Sequence, residues 1–215
     1  MSELVVASLV NGQFSENCYL LADPDSRRAV IIDPGEEPAL FLAELDRHGW
    51  ILDAIWLTHA HVDHIMGVGA VKAATGAPVF LHPADRPLYD ALPSQGEWMG
   101  VRLEAAPAPD ALLADGQELA LGPHRVTVRH TPGHSPGSVS FLLPGRIFGG
   151  DVLFSGSIGR TDLPGGDGRT LLDSIQSVFL PLPDSTIVHS GHGPDTTIGV
   201  ERVTNPFLLG AHRFG

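Results

Sequence analysis

Residues 51–57 read ILDAIWL and residues 58–64 read THAHVDH. The first seven are a mostly apolar run, the mark of a strand buried on both faces. The next seven set three histidines and an aspartate just past its end. Imidazole nitrogens and carboxylate oxygens are the donors that zinc and iron accept. In extended backbone His59 and His61 point to one side. Asp63 and His64 fall on a turn into a helix and approach from another direction. That divergence suits two adjacent metal ions better than one. A polar loop with incidental histidines is the competing reading, and the downstream sequence speaks against it.

Three further donors occupy the same kind of place. His134 lies in TPGHSPG (131–137), a turn between two expected strands, where Gly and Pro fix the backbone and leave the imidazole at the rim. Asp151 follows Gly149 and Gly150 at the end of a strand over 146–148, where glycines allow close backbone approach. His192 lies in SGHGP (190–194), just beyond another strand. If those strand ends share one edge, the donors converge there.

Around these motifs the sequence predicts strands over 4–10, 18–22, 29–33, 51–57 and 78–82. A helix is expected over 36–48, with Glu36 and Glu37 in its first turn, and another over 65–74, stopped by Gly76. Residues 83–109, rich in proline, read as irregular. Four short strands follow over 118–121, 125–130, 138–143 and 146–148, then a helix over 170–179 and a last strand over 185–189. No linker or repeat interrupts the pattern, so a single domain over residues 1–215 is expected, with mixed sheets and helices outside.

Composition bounds the function. The chain of 215 residues has 13 Lys and Arg against 25 Asp and Glu, a net charge of −12. Nucleic acid and anionic membrane both need basic surface, so neither is an expected partner. Residues 1–10 lack the features of a secretory leader, and no stretch approaches the ~18 apolar residues of a membrane span. The lone Cys18 excludes an intrachain disulfide and fits a reducing, cytoplasmic compartment. The apolar tail over 207–214 is expected either to dock on its own domain or to form a homo-oligomer contact.

The constellation resembles the metallo-β-lactamase-fold hydrolases. The likeness rests on His59, His61, Asp63, His64, His134, Asp151 and His192, with Asp33 in IDPG (32–35), and runs from about residue 4 to 207. It implies an α/β fold, the αβ/βα sandwich, in which two mixed sheets pack face to face with metals at one edge. It also implies that His59, His61 and His134 hold one divalent ion, Asp63, His64 and His192 a second, and that Asp151 bridges them. Zinc is the first choice of metal, with iron or manganese as alternatives.

Within that superfamily, Asn17-Cys18-Tyr19, GRTDLP (159–164) and TNPF (204–207) are similar to the small glyoxalase-II-like, or hydroxyacylglutathione hydrolase-like, thioesterases. The resemblance implies hydrolysis of a small-molecule thioester such as S-lactoylglutathione by a metal-bridging hydroxide, which Asp63 orients while also binding metal. A thiol of pKa about 8.5 departs as thiolate without a strong general acid. Full-length glyoxalase II has a C-terminal helical domain that grips glutathione, and the 23 residues after His192 are too few for one. Arg160 is a candidate contact to a substrate carboxylate, with an internal ion pair to Asp162 as the equal alternative.

The main rival is a persulfide dioxygenase of the same fold, which by family uses a single iron on residues matching His59, His134 and Asp151. A β-lactamase, an RNA-processing nuclease and a metal-stabilised binding module are weaker rivals. His82, His124, His130 and His189 read as structural, although His130 is placed to orient a ligand. Cys18 reads as a buried strand residue.

Overall fold

The computed structural model describes residues 2–210. Among them, strands β1 (Val5–Asn11), β2 (Glu16–Asp23), β3 (Arg28–Ile32), β4 (Ile51–Trp56), β5 (Val79–Leu81) and β6 (Ala111–Leu112) form one six-stranded sheet in sequence order. The first two pairings are antiparallel and the last three parallel. A second sheet takes β7 (Glu118–Leu121), β8 (His124–His130), β9 (Val139–Leu143), β10 (Arg146–Gly150), β13 (Ile187–Ser190) and β14 (Thr196–Thr197) in the order β14-β13-β10-β9-β8-β7. Strands β11 (Leu153–Phe154) and β12 (Ser157–Ile158) make a separate hairpin.

Strand period explains the layering. All eight residues of β2 are buried, because its two faces serve two cores. Cys18, Leu20 and Ala22 face helices, whereas Tyr19 and Leu21 face the second sheet. In β4 a register shift against β3 skips Asp53. The shift turns Leu52 toward the helices and Ala54 and Trp56 toward the other sheet. Val126, Val128, Val139, Phe141 and Phe148 complete the core between the sheets.

Helices cover both outer faces. Helices α1 (Pro38–His48) and α3 (Val68–Thr75) lie on the first sheet through Phe41, Leu45, Val68 and Val71. On the second, α6 (Gly168–Ser174) continues as a π-helical turn, Ile175–Phe179, and packs through Leu171, Ile175 and Phe179 against Ile147 and Val188. This is the expected α/β sandwich, sheet on sheet with helices outside.

Several local expectations are corrected. Glu37 is the N-cap of α1 rather than part of its first turn, and Glu36 instead accepts the Gln13 N–H. The helix expected over 65–74 is two pieces, α2 (Val62–Ile65) and α3, the latter ending on left-handed Gly76. Residues 83–109 are not irregular throughout: α4 (Arg86–Asp90) and α5 (Leu92–Trp98) lie there, after a 3₁₀ turn at Pro83–Asp85. The strand ending near His189 is followed by β14 and α7 (Ile198–Thr204), so it is not the last. In the tail, Phe207 and Leu208 pack on the α6 side of the protein, while residues 211–214 lie outside the described range. No helix among the described residues is long and apolar enough to cross a membrane.

Strand direction places the loops. Strands β8 and β10 each pair antiparallel with β9, and β13 runs parallel to β10. The C-terminal ends of β8, β10 and β13 therefore share one edge. Just past β4, the Thr58 carbonyl accepts the Val139 N–H at 2.8 Å, which brings the end of β4 to that edge as well.

Candidate metal centre

Every donor named from the sequence arrives at this edge. The ligand atoms of His59, His61 and His134 lie within 4.8 Å of one another, as do those of Asp63, His64 and His192. In the first group His134 Nε2 is 3.2 Å from His59 Nε2 and 2.7 Å from His61 Nδ1. In the second, His192 Nε2 is 3.4 Å from His64 Nε2 and 3.2 Å from Asp63 Oδ2. Asp151 stands between the groups: Oδ2 is 3.5 Å from His134 Nε2 and 3.6 Å from His192 Nε2, and Oδ1 is 3.4 Å from His64 Nε2.

The far side of each ring sets which nitrogen faces inward. His134 Nδ1 meets the Arg160 carbonyl at 2.8 Å and His192 Nδ1 meets the Phe14 carbonyl at 3.0 Å. A carbonyl only accepts, so each Nδ1 carries the proton and each Nε2 presents a lone pair. His64 Nδ1 is held by the Asp33 carboxylate at 3.0 Å in the same way. The Thr58 hydroxyl donates to Asp33, so its oxygen accepts from His59 Nδ1 at 3.0 Å. These contacts turn Nε2 of His59, His64, His134 and His192 inward, so that in its neutral form each ring offers a lone pair to one shared space.

Lone pairs crowd at such distances only around something electropositive. Zinc–nitrogen bonds of about 2.0–2.1 Å in a tetrahedron put ligand nitrogens about 3.3 Å apart, close to the 3.2 Å between His59 and His134. The buried Asp151 Oδ1 has no hydrogen-bond partner, a further sign that the donor set is built for a cation. The residues fit one or two divalent ions.

Electrostatics divide the site. Burial, reinforced by His64 and His134, holds the His59 pKa well below the usual imidazole value. Burial and His134 push His61 down to about 3. Burial also opposes charge on His64, yet Asp63, Asp151 and Asp33 outweigh it and raise its pKa well above normal. For Asp63, burial favours the neutral acid, but His64 and His192 hold it ionised below the ordinary carboxylate range. The carboxylate-rich half thus calls for positive charge, which a divalent ion supplies.

The supporting residues are those the sequence did not assign. Asp33 sits in left-handed backbone (φ 52°), which aspartate tolerates, and its carboxylate accepts both N–H and O–H of Thr58. Glu16 is buried behind His64, where burial raises its pKa. Asn17 holds the His192 loop by donating Nδ2 to the Ser190 and Gly193 carbonyls at 2.9 and 2.8 Å. The Tyr19 hydroxyl adds a bond to Ser190 at 2.7 Å. A side chain on Gly150 would collide with Thr58, so the close approach expected there is real. The DPG turn at Asp33 and the glycine pair at 149–150 were the available signals for this support.

Other candidates resolve plainly. Arg160 makes two 2.7 Å bonds to Asp162, and both side chains are exposed. His130 donates toward the Pro136 carbonyl at 2.9 Å and stacks on His82, so it touches the His134 loop backbone rather than a ligand ring. His189 stacks on Phe148, and Cys18 is fully buried, where desolvation pushes its thiol pKa up.

A family model for the metallo-beta-lactamase superfamily matches residues 11–192. The chain belongs to this superfamily. It is similar to hydroxyacylglutathione hydrolase GloC of Haemophilus influenzae, 39% identical over 91% of this chain and 93% of that protein. Among solved structures it is similar to the BLEG-1 B3 metallo-beta-lactamase, 45% identical at TM-score 0.89 over 95% of this chain and 99% of that one. TTHA1623, solved in a di-iron-bound form, is 43% identical at TM-score 0.87 over 94% and 100% of the two chains. ETHE1 from Myxococcus xanthus is 31% identical at TM-score 0.81 over 96% and 85%.

Proposed function

We propose that this superfamily member is a metal-dependent thioester hydrolase of the glyoxalase-II-like kind, with His59, His61, Asp63, His64, His134, Asp151 and His192 as its metal ligands. The observation that carries the reading is the pair of donor groups facing each other across Asp151, with four Nε2 lone pairs turned inward. Similarity to GloC supports thioester chemistry, and the di-iron TTHA1623 supports two ions and admits iron beside zinc.

Two bound divalent cations would supply activated water near neutral pH and a Lewis acid for a carbonyl oxygen. The chain's own residues do the rest. Asp63 lines the cleft over the donors and is held ionised, so it accepts a hydrogen bond from a water and orients it. Burial and neighbouring charges keep His59 and His61 neutral, as donors to a cation must be. Among the described residues, no carboxyl group besides Asp63 and Asp151 lines the cleft, which agrees with a leaving group that departs without a general acid. A thiolate, with its pKa of about 8.5, meets that condition and an alkoxide does not.

The rival favoured by a specific observation is an iron-dependent persulfide dioxygenase, through the likeness to ETHE1. The deciding experiment combines elemental analysis of the purified protein with rates on S-lactoylglutathione, neutral acyl thioesters, a β-lactam, and a glutathione persulfide in an oxygen electrode. Thioester turnover that is lost in D151A together with bound metal supports the proposal. Oxygen consumption with persulfide and no thioester turnover replaces it with the dioxygenase. Full activity in D151A refutes the bridging role.

A further inference from the structure

A cleft of about 720 Å³ opens over the metal centre, and its floor includes His61, Asp63, His134, Asp151 and His192. Its walls are apolar. Leu88, Trp98 and Met99 rise on the α4–α5 side, and Phe14, Phe154 and Ile158 stand among the remaining lining residues. Trp98 is 78% exposed, the most of any large apolar side chain among the described residues, and Phe14 is 51% exposed. Two bare aromatic rings at the mouth of one cleft mark a surface meant to be covered.

The polar inventory is small and mostly committed. Beyond the metal donors it comprises Ser94, Gln95, Ser157 and Arg160; Arg160 is the one charged side chain of these among the described residues, and Asp162 binds it through two nitrogens. The Gln95 amide is also spent. Its oxygen accepts the Val62 N–H, and its nitrogen donates to the Ala60 and Leu88 carbonyls. Among the described residues, a substrate bearing several carboxylates finds no unpaired cation on these walls, whereas an alkyl or aryl group finds at least seven large apolar side chains, Leu163 among them.

We propose that the cleft selects thioesters whose substituent beside the scissile bond is apolar and uncharged, with Trp98 as a main contact. The inference rests on the thioester reading above and names its substrate class. An apolar group can enter from either side of the sulfur, as the acyl chain or as the thiol.

The test uses full-length, metal-loaded protein and two series. One varies the acyl group from acetyl to hexanoyl and phenylacetyl on N-acetylcysteamine, and the other varies the thiol from N-acetylcysteamine to hexanethiol on an acetyl group. Each buried methylene is worth up to about fourfold, so kcat/KM should rise at least tenfold along one series. The series that rises identifies which side the cleft grips. A succinyl thioester should fall at least tenfold below the butanoyl one, and S-lactoylglutathione should fall below hexanoyl-N-acetylcysteamine. W98A should shrink the hexanoyl-to-acetyl ratio by about fivefold or more. V203S, on exposed α7, should leave it unchanged, and W98F should retain most of it. Quenching of tryptophan emission by an unreactive hexyl thioether, lost in W98F, gives a readout independent of turnover. Thioester turnover with two flat series, or a ratio unaltered in W98A, overturns the cleft assignment and leaves the hydrolase reading standing. No turnover of any thioester overturns both.

Discussion

Oδ2 of Asp85 accepts the Ala60 N–H at 3.0 Å, in the residue that separates His59 from His61. The same carboxylate takes the Ser135 hydroxyl at 2.7 Å and the Gly137 N–H at 2.6 Å. One fully buried group thus fastens the loop after β4 to the loop after β8, and these loops carry His59, His61 and His134. Replacement by alanine strands the buried Ala60 and Gly137 N–H groups, at about 1–3 kcal/mol each, and leaves the Ser135 hydroxyl only its 2.8 Å contact with Ser138. D85A should lose about 3 kcal/mol or more, which in a protein this size lowers Tm by about 6–12 °C. Metal affinity should fall by about 10–100-fold, as when a ligand's supporting partner is removed. Calorimetry and metal titration check this, and a D85A protein unchanged in both contradicts the strut.

That strut also marks where sequence reading stops. Runs such as 29–33 and 51–57 reveal strands because burial on two faces leaves a continuous apolar signature. The histidine motif stands out because ligand residues cluster within seven positions. Asp85 gives no such signal: it meets Ala60 and Ser135 across 25 and 50 residues, a proximity created only by the sandwich. Helices α4 and α5 were hidden by Pro87 and Pro93, which read as breakers but sit in first turns, where no intrahelical N–H is needed. Gln95 was equally silent, since its role depends on backbone groups of the facing loop.

Metal should be part of the fold's stability, because it binds a donor set that only the folded chain assembles. At free metal 100 times its Kd, binding adds about 2.7 kcal/mol, or about 5–11 °C in Tm. Chelator should reverse the gain. H192A should retain one equivalent of metal, since it removes a donor from the second group alone. Equal Tm with and without metal, or two equivalents retained in H192A, would count against the two-group arrangement.

Acid should destabilise the protein partly through a residue outside the metal centre. His82 is half-buried, and burial followed by the stacked His130 lowers its pKa to about 4. The unfolded chain takes up this proton near pH 6.5 and the folded chain does not until about pH 4. The contribution is therefore fully present above pH 6.5 and is lost as pH falls toward 4. Asp115, whose charge favours protonation, reduces the effect without reversing it. Urea titrations of chelated protein between pH 7 and 4 should show a shallower loss in H82Q than in the parent. Parallel curves would remove His82 from the acid response.

Gly191 separates Ser190, the last residue of β13, from His192, and its position tests the donor geometry most directly. A Cβ there would overlap Asp151 Oδ1 and stand 2.8 Å from His64 Cε1. The backbone cannot easily retreat, because the Gly191 carbonyl accepts the Asn17 N–H and its own N–H bonds Gly150, at 2.8 and 2.9 Å. The methyl group must therefore push Asp151 away from the space between the two donor groups. The side chains displaced are donors at the rim rather than members of the three apolar cores, which stay packed. G191A should fold, with circular dichroism like the parent, yet bind metal at least tenfold more weakly and lose most hydrolysis. Full metal stoichiometry and affinity in folded G191A would mean that Asp151 is not needed where it stands.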